Sequence, residues 1–89
     1  MDITEKQSEI MDISQEECAE VIQAISKIRR FGLLTEHDGE TNKEHLEEEV
    51  GDLMCMLNLL DEFGLVDWTL VSLHAQNKRK KLQRWTKIF

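Results

Sequence analysis

Apolar residues recur at intervals of three and four along the chain, the spacing that places side chains on one face of a helix. In residues 14–31 this apolar arc is formed by Cys18, Val21, Ile22, Ile25 and Ile28. In residues 42–63 the corresponding arc is formed by Leu46, Val50, Leu53, Leu57 and Leu60. If the two helices pack antiparallel through these arcs, they form the centre of a small helical bundle.

Capping signals predict where the first helices begin and end. Ser14 followed by Glu17 is a capping-box pattern, and Gly32 is a natural stop, so a helix is predicted over residues 14–31. Thr4, with a glutamine three residues later, predicts a short leader helix that breaks near Asp12.

The same signals predict two further helices. Thr41 begins a capping box and Gly64 stops the helix, which gives a second helix over residues 42–63. Asp67 can cap a third helix over residues 68–86. The polar link 33–41 contains Asp38-Gly39 and is predicted to be a loop.

Composition agrees with an all-α fold in a single domain, residues 1–89. The chain is 40% hydrophobic and 33% charged and has neither proline nor tyrosine. A chain of this length buries only about 60–65% of its unfolded surface, which favours association.

Cys18 and Cys55 have no metal-type spacing and are predicted to be reduced packing residues. With no long apolar run and no signal-peptide core at the N-terminus, we expect a soluble, cytoplasmic protein without a membrane partner.

The net charge of −7 hides a strong asymmetry along the chain. Residues 1–77 contain all 18 acidic residues and five of the 11 basic ones, a charge of −13. Residues 78–89 carry the remaining six basic residues, a charge of +6. A basic end of this kind either contacts phosphates or nucleic acid, or simply complements a helix dipole in solvent.

Two acidic clusters lie beside the apolar arcs. Glu16, Glu17 and Glu20 crowd one turn of the first helix, and Glu49 and Asp52 stand in the second with the same phase. Antiparallel packing would bring Glu17, Glu20, Glu49 and Asp52 to one rim of the helix interface. Two like charges about 4 Å apart repel by about 4 kcal/mol at an effective dielectric of 20. Either cluster alone is typical of a solvated helix end, but the matched pair favours a divalent cation.

Oxygen ligands without His or Cys indicate a hard ion, Mg²⁺ or Mn²⁺. A di-iron carboxylate bundle requires Glu-x-x-His, which none of the three histidines completes. An EF-hand is excluded because no glycine stands at the sixth position of an acidic loop. An acidic Mg²⁺ site usually leaves coordination positions for substrate phosphates, so cations should lie nearby.

Basic residues accompany the acidic clusters on the predicted helices. Lys27 lies two turns beyond Glu20, with Arg30 close behind. On the third helix one stripe is formed by His74, Lys78, Lys81 and Trp85, flanked by Asn77 and Arg84. This stripe is either a cationic wall for a polyphosphate, with Asn77 binding a sugar or base, or an exposed basic end with Trp85 packed inward. The spacing alone leaves both interpretations open.

Glu16-Glu17-x-x-Glu20, followed after 28 residues by Glu49-Val-Gly-Asp52, resembles the EExxE…ExxD signature of the all-α nucleoside triphosphate pyrophosphatases, the MazG-like group. The resemblance runs from about Ser14 to Trp85, although the gap is at the long end for that family. The stretches SKIRRFG (26–32) and NKRKKLQRW (77–85) resemble the family's phosphate-side cations.

The resemblance implies hydrolysis of a nucleoside triphosphate, preferably a deoxynucleotide, to the monophosphate and pyrophosphate. It implies Glu17, Glu20, Glu49 and Asp52 as ligands of two or more Mg²⁺ or Mn²⁺ ions, with Glu16 assisting the water nucleophile. The substrate-binding residues would be Lys27, Arg30, Asn77, Lys78, Lys81 and Arg84. The fold would be an antiparallel bundle of three main helices plus a short N-terminal helix, completed by a homodimer or a dimer of dimers.

Three alternatives remain. One is a non-enzymatic helical module that binds nucleic acid through the basic third helix, although the charge of −7 makes a nucleic-acid partner unfavourable. Another is phosphoribosyl-ATP pyrophosphatase, which resembles this chain less because it keeps its acid clusters closer together. The third is a phosphatase that releases orthophosphate. Base specificity is not predicted, since Phe31, Trp68 and Trp85 are interpreted as core residues rather than as stacking partners for a base.

Overall fold

The computed structural model describes residues 2–89 and is mostly helical. The helices are α1 (Glu5–Phe31), α2 (Asn42–Glu62) and α3 (Trp68–Trp85). Between α1 and α2 lies an antiparallel hairpin of two short strands, β1 (Glu36–His37) and β2 (Glu40–Thr41). The prediction of a mainly helical fold is confirmed.

The predicted leader helix and first helix are one continuous helix, so the prediction of a break near Asp12 was wrong. Thr4 is the N-cap of α1 and forms a full capping box with Gln7. Ser14, predicted to begin a new helix, is buried inside α1, and its hydroxyl donates to the Ile10 carbonyl at 2.7 Å. A serine in mid-helix can satisfy its hydroxyl in this way without ending the helix. Gly32 ends α1, as predicted.

The ends of α2 and α3 agree with the capping signals to within one residue. The Thr41 hydroxyl accepts from the Glu44 backbone N–H while the Glu44 carboxylate accepts from the Thr41 backbone N–H, which closes a capping box. The hydrogen bonds to Thr41 lower the pKa of Glu44. Asp67 caps α3 by accepting from the Thr69 backbone N–H.

The segment predicted as a loop contains the hairpin. Asp38 (φ 54°) and Gly39 (φ 81°) both adopt positive φ angles between the paired residues His37 and Glu40. Asp-Gly is a favoured pair for a two-residue hairpin turn because both central residues require positive φ. The hairpin is joined to the helices by hydrogen bonds from the Asn42 backbone to Thr35 and from the Asn42 side chain to Gly32.

Helices α1 and α2 pack antiparallel. The Gln7 side chain donates to the Phe63 carbonyl at one end of the pair, and the Asn42 side chain donates to the Gly32 carbonyl at the other end. Among the described residues only Ile10, Ala24 and Met56 are buried apolar side chains. The predicted apolar arcs are therefore only partly buried within the single chain. Ile22, for example, is 68% exposed.

Helix α3 extends away from this pair and makes little contact with α1 or α2 within the described chain. The molecule is consequently flat, with extents of 46 × 37 × 14 Å. Both cysteines are free and exposed, so their prediction as packing residues is wrong for the single chain. None of the helices within residues 2–89 is long and apolar enough to cross a membrane.

Candidate metal centre and its surroundings

The two acidic clusters meet on the stripes through which α1 and α2 contact each other. Glu17 lies seven residues from buried Ile10 and seven from buried Ala24. Glu49 lies seven residues from buried Asn42 and seven from buried Met56. Seven residues are close to two helical turns, so both carboxylates replace core side chains on the facing stripes. The sequence predicted them at the rim of the interface; they lie within it and are half-buried.

Glu17, Glu49 and Asp52 each offer a carboxylate oxygen, and these three oxygens lie within 4.8 Å of one another. Asp52 is one turn beyond Glu49 and is exposed, so the cluster opens to solvent on that side. Glu20, predicted to be a fourth member, is exposed and lies outside this group in the described part of the chain.

The electrostatics of the cluster are those of uncompensated like charges. The pKa of Glu17 is raised, first by burial and then by the carboxylates of Asp52, Glu49, Glu20 and Glu16 in decreasing order. Glu20 and Glu16 thus lie near enough to act on Glu17 through their charge. Folding has placed the Glu17 carboxylate where its ionised form is disfavoured, an arrangement that a bound cation would relieve.

The donor set fits a hard divalent cation. Three convergent carboxylates provide oxygen ligands only, which suit Mg²⁺ and Mn²⁺ better than softer metals. One open side of the cluster leaves room for water and phosphate oxygens. Glu17, Glu49 and Asp52 are the residues that could hold such an ion.

His45 is a neighbour of the cluster that the sequence analysis missed. Its Nε2 lies 3.2 Å from Oε1 of Glu49, and both side chains are largely buried, with Glu49 only 12% exposed. The i, i+4 spacing of His45 and Glu49 was the available signal.

Lys27 and Arg30 lie at the hairpin end of α1. Lys27 is ten residues from Glu17, about 15 Å along the helix axis. The Lys27 side chain lines a cavity of about 300 Å³ together with Phe31, Thr35, Glu36, His37 and Asn42. The Arg30 guanidinium stacks over the Phe31 ring, 4.8 Å from its centre. The structure therefore places these two residues at the hairpin end of α1, beyond the carboxylates along the helix axis.

The predicted basic stripe on α3 forms one concave surface. It is lined by His74, Asn77, Lys78, Lys80, Lys81 and Arg84. Trp85 is 82% exposed, so the prediction that it packs inward is wrong for the single chain. Because α3 projects from the helix pair, this surface is not brought to the carboxylates within one chain.

The prediction that the aromatic residues are core is also wrong for Phe31, which is 56% exposed. Phe31 lies on the wall of the cavity at the hairpin end, where Lys27 and Asn42 supply polar groups. An exposed ring beside polar groups can stack on a planar ligand. Trp68 is half-buried.

The chain matches the model of one protein family, described as the MazG nucleotide pyrophosphohydrolase domain, over residues 5–85. The match extends from the first residue of α1 to the last residue of α3. Searches of curated proteins and of solved structures gave no match.

Proposed function

The chain belongs to the MazG nucleotide pyrophosphohydrolase family, and from this we propose that it is a metal-dependent enzyme that hydrolyses nucleoside triphosphates to the monophosphate and pyrophosphate. Family membership supports nucleotide pyrophosphohydrolase activity in general. The metal requirement and the roles of individual residues are our proposal, as is the assignment of residues 1–89 to one domain. The main support for the proposed metal-dependent activity is the convergence of Glu17, Glu49 and Asp52 across the α1–α2 interface.

In this proposal Glu17, Glu49 and Asp52 hold Mg²⁺ or Mn²⁺, and exposed Glu20 completes the ligand set around a further ion. The bound ions supply Lewis-acid activation of water and neutralise charge on the phosphates. Glu16 stands next to Glu17 on the exposed side of α1. Its carboxylate accepts the proton of the attacking water, which is the role of a general base.

The phosphates need cations as well as metal ions. Lys78, Lys81 and Arg84 project from one concave surface of α3 and provide charge that stabilises the transition state of phosphoryl transfer. Asn77 on the same surface donates to the sugar or a phosphate oxygen. Lys27 and Arg30 act at the other end of the substrate, beside the hairpin.

The cavity at the hairpin end is suited to the nucleoside. From Glu49 to Asn42 is seven residues, about 10 Å along α2, so one extended ligand can reach from the carboxylates to the cavity. Phe31 would stack on the base while Lys27 and Asn42 bind its polar edge. The deoxynucleotide preference rests on the family resemblance.

We also propose a homodimer or a dimer of dimers. Large apolar side chains are exposed on every helix, among them Ile22, Ile25, Val50, Met54, Leu70 and Leu73. The radius of gyration is 16.0 Å, whereas a compact chain of 89 residues has about 12 Å. A second copy would cover this surface and complete the bundle.

A substrate panel tests the proposal. Each common dNTP and NTP is incubated with Mg²⁺ or Mn²⁺, and monophosphate, pyrophosphate and orthophosphate are quantified. We expect monophosphate and pyrophosphate in equal amounts, a higher kcat/KM for at least one dNTP than for its ribonucleotide, and no turnover with EDTA. Orthophosphate as the primary product, or no cleavage of any triphosphate, would refute the proposed activity. In the latter case salt-sensitive binding to RNA or DNA would favour the nucleic-acid module.

A further inference from the structure

The cavity at the hairpin end of α1 carries polar groups of both charges on its wall. This hairpin cavity has a volume of about 300 Å³, and the exposed ring of Phe31 forms part of its lining. Lys27 supplies a positive group and Glu36 a negative one. Opposite charges beside an aromatic ring can recognise a planar ligand that has hydrogen-bond donors and acceptors along one edge.

Asn42 offers this cavity a hydrogen-bond acceptor of fixed direction. The residue is 6% exposed, and its Nδ2 donates to the Gly32 carbonyl at 2.9 Å. Because a carbonyl only accepts, this contact fixes the orientation of the amide. The amide oxygen Oδ1 has no partner among residues 2–89, yet no buried polar side-chain atom in that range lacks one. Oδ1 is therefore accessible, and it can accept from a ligand in the cavity.

Thr35 and Glu36 add further acceptors to the wall. The Thr35 hydroxyl donates to the Phe31 carbonyl, so its hydrogen is used and only its lone pairs remain for a ligand. The Glu36 carboxylate has two oxygens, both of which accept. Against these acceptors stand the Lys27 ammonium, which only donates, and the His37 imidazole, which can do either. The cavity therefore suits a ligand edge that is richer in donors than in acceptors.

The nucleobases differ in how well they match such a wall. Guanine presents two neighbouring donors, N1–H and the 2-amino group, beside the acceptor O6, and a carboxylate can accept from both donors at once. Adenine and cytosine each present one amino group beside an unprotonated ring nitrogen, which a carboxylate repels. Thymine and uracil present a single N–H between two carbonyls. Guanine is therefore the base whose donors pair with a carboxylate while its carbonyl accepts from a cation.

A second cavity adjoins the hairpin cavity on the side of the carboxylate cluster. It has a volume of about 190 Å³ and shares Lys27, His37 and Asn42 with the first. His45 also lines it, and Nε2 of His45 lies 3.2 Å from Oε1 of Glu49. A nucleotide with its base in the hairpin cavity would have its sugar in the second cavity and its phosphates towards Glu49.

We propose that the hairpin cavity selects guanine. The Glu36 carboxylate accepts from N1–H and from the 2-amino group, and the Lys27 ammonium donates to O6. Oδ1 of Asn42 accepts the other hydrogen of the 2-amino group, while Phe31 stacks on the purine. The preferred substrate among the common dNTPs is then dGTP, and this inference rests on the proposed function for its catalytic meaning.

An inosine nucleotide isolates the 2-amino group, because hypoxanthine keeps N1–H and O6 and lacks only that group. Steady-state kinetics with dGTP and dITP give the ratio of their kcat/KM values. We expect wild type to favour dGTP at least about 10-fold, the cost of losing a hydrogen bond to a charged partner. Since dATP lacks the carbonyl as well, it should be poorer than dITP. A ratio near one, or a preference for dATP or dTTP over dGTP, would overturn the inference.

Variants of Glu36 test the assignment of this carboxylate. Its side chain is exposed, and substitutions at exposed positions rarely change stability much. Glu36→Gln should reduce a 10-fold preference for dGTP over dITP to about 3-fold, because hydrogen bonds to a neutral acceptor are about half as strong. Glu36→Asp keeps a carboxylate and should keep more of the preference than Glu36→Gln. Glu9→Gln makes the same change in charge on the exposed side of α1 and should keep all of it. An unchanged preference in Glu36→Gln would overturn the role of Glu36.

Binding of monophosphates gives a readout without metal or turnover. The ¹⁵N-labelled protein in EDTA is titrated with dGMP or dIMP, and NMR follows the Glu36 backbone amide and the Asn42 side-chain amide. We expect both signals to shift and to saturate with dGMP at about a tenth of the concentration that dIMP requires. Equal requirements for the two ligands, shifts confined to other parts of the chain, or no shift would each overturn the inference.

The two proposals fail in different ways. If no triphosphate is cleaved but dGMP shifts the Glu36 and Asn42 signals at a lower concentration than dIMP, the proposed function is wrong and the guanine site stands. If triphosphates are cleaved to monophosphate and pyrophosphate with equal kcat/KM for dGTP and dITP, the proposed function stands and the guanine site is wrong.

Discussion

A carboxylate oxygen of Glu17 in α1 lies within 4.8 Å of one of Glu49 in α2, across the only extensive helix interface among residues 2–89. Both residues take positions that the heptad spacing of their helices assigns to buried side chains. A stripe that could have been apolar carries like charges instead. These like charges lower the stability of the α1–α2 interface. The proposed metal site explains why the carboxylates are there.

Removing a ligand should remove catalysis and leave the fold. Glu49→Gln or Asp52→Asn should lower kcat/KM at least about 100-fold, since even residues that only support metal ligands cost 10–100-fold. The helical circular dichroism should stay unchanged because neither substitution alters side-chain volume. Glu48→Gln, a neutralisation at the exposed neighbour of Glu49, should retain activity. Unfolding of either site variant would instead mean that these acids are structural.

The metal-free protein should become more stable when Glu17 is neutralised. Burial and the neighbouring carboxylates raise the pKa of Glu17 above its ordinary 4.5. A raised pKa in the folded state means that stability is lost as pH rises through that pKa. In EDTA, Glu17→Gln should therefore melt above wild type at neutral pH, by a margin that is small below the ordinary pKa of 4.5 and grows as pH rises from there through the raised pKa of Glu17.

With added Mn²⁺, wild type should melt above Glu17→Gln. Ligand binding stabilises only the chain that can hold the ion. Wild type should gain thermal stability with Mn²⁺ and Glu17→Gln should gain none. Glu9→Gln on the exposed side of α1 controls for the change in net charge. Equal melting shifts for Glu17→Gln and Glu9→Gln would argue against a metal centre.

His45 should position Glu49 for metal binding. Its Nε2 lies 3.2 Å from the Glu49 carboxylate, and loss of such a neighbour typically weakens metal affinity 10–100-fold. His45→Ala should require correspondingly more Mn²⁺ for half-maximal activity, with kcat largely restored at saturation. His45→Gln should recover part of the affinity because its amide can donate to the same carboxylate. An unchanged Mn²⁺ requirement in His45→Ala would rule out this role.

Phe31 should contribute to nucleoside binding rather than to chemistry. Phe31→Ala should raise KM by about 10-fold, the loss expected for one base–aromatic stack of 1–3 kcal/mol, while kcat changes little. Phe31→Trp keeps an aromatic face and should keep a KM near that of wild type. A fall in kcat without a change in KM would place the nucleoside elsewhere.

The capping box at the start of α2 should stabilise the helix that carries Glu49 and Asp52. Thr41→Ala should lower the free energy of unfolding by about 1 kcal/mol, and Thr41→Ser should restore most of it. The hydrogen bonds from Thr41 lower the pKa of Glu44 from its ordinary 4.5. The part of the stabilisation that comes from the Glu44 carboxylate is therefore present above that value and is lost as pH falls through the lowered pKa. Denaturant titrations at about pH 7 and pH 3 measure both effects. An equal cost at the two pH values would mean that Glu44 has no part in the cap.

Local signals predicted the helix ends well because caps act within a few residues. Thr41, Asp67 and Gly32 all have the roles that their neighbours in sequence indicate. The same reasoning was wrong at Ser14, where a capping-box pattern lies inside a long helix. The hydroxyl of Ser14 found its partner in the preceding turn, and residues 5–31 contain no proline or glycine that would stop the helix before Gly32.

The convergence of Glu17 and Glu49 was predictable because helical phase is a property of spacing. The direction of α3 was not, since it is set by hydrogen bonds at Asp61 and Leu60 rather than by any periodic pattern. The exposure of Trp85 and Phe31 could not be read from sequence either. An apolar stripe indicates that a face is covered, and it does not say whether the cover comes from the same chain.

The central claim is that the acid cluster catalyses release of pyrophosphate from a nucleoside triphosphate. The most direct measurement is ³¹P NMR of a deoxynucleoside triphosphate with Mg²⁺ and either wild type or Glu49→Gln. The account predicts pyrophosphate and nucleoside monophosphate signals that grow together with wild type and are absent with the variant. Orthophosphate and a diphosphate as first products, or equal turnover by Glu49→Gln, would contradict it.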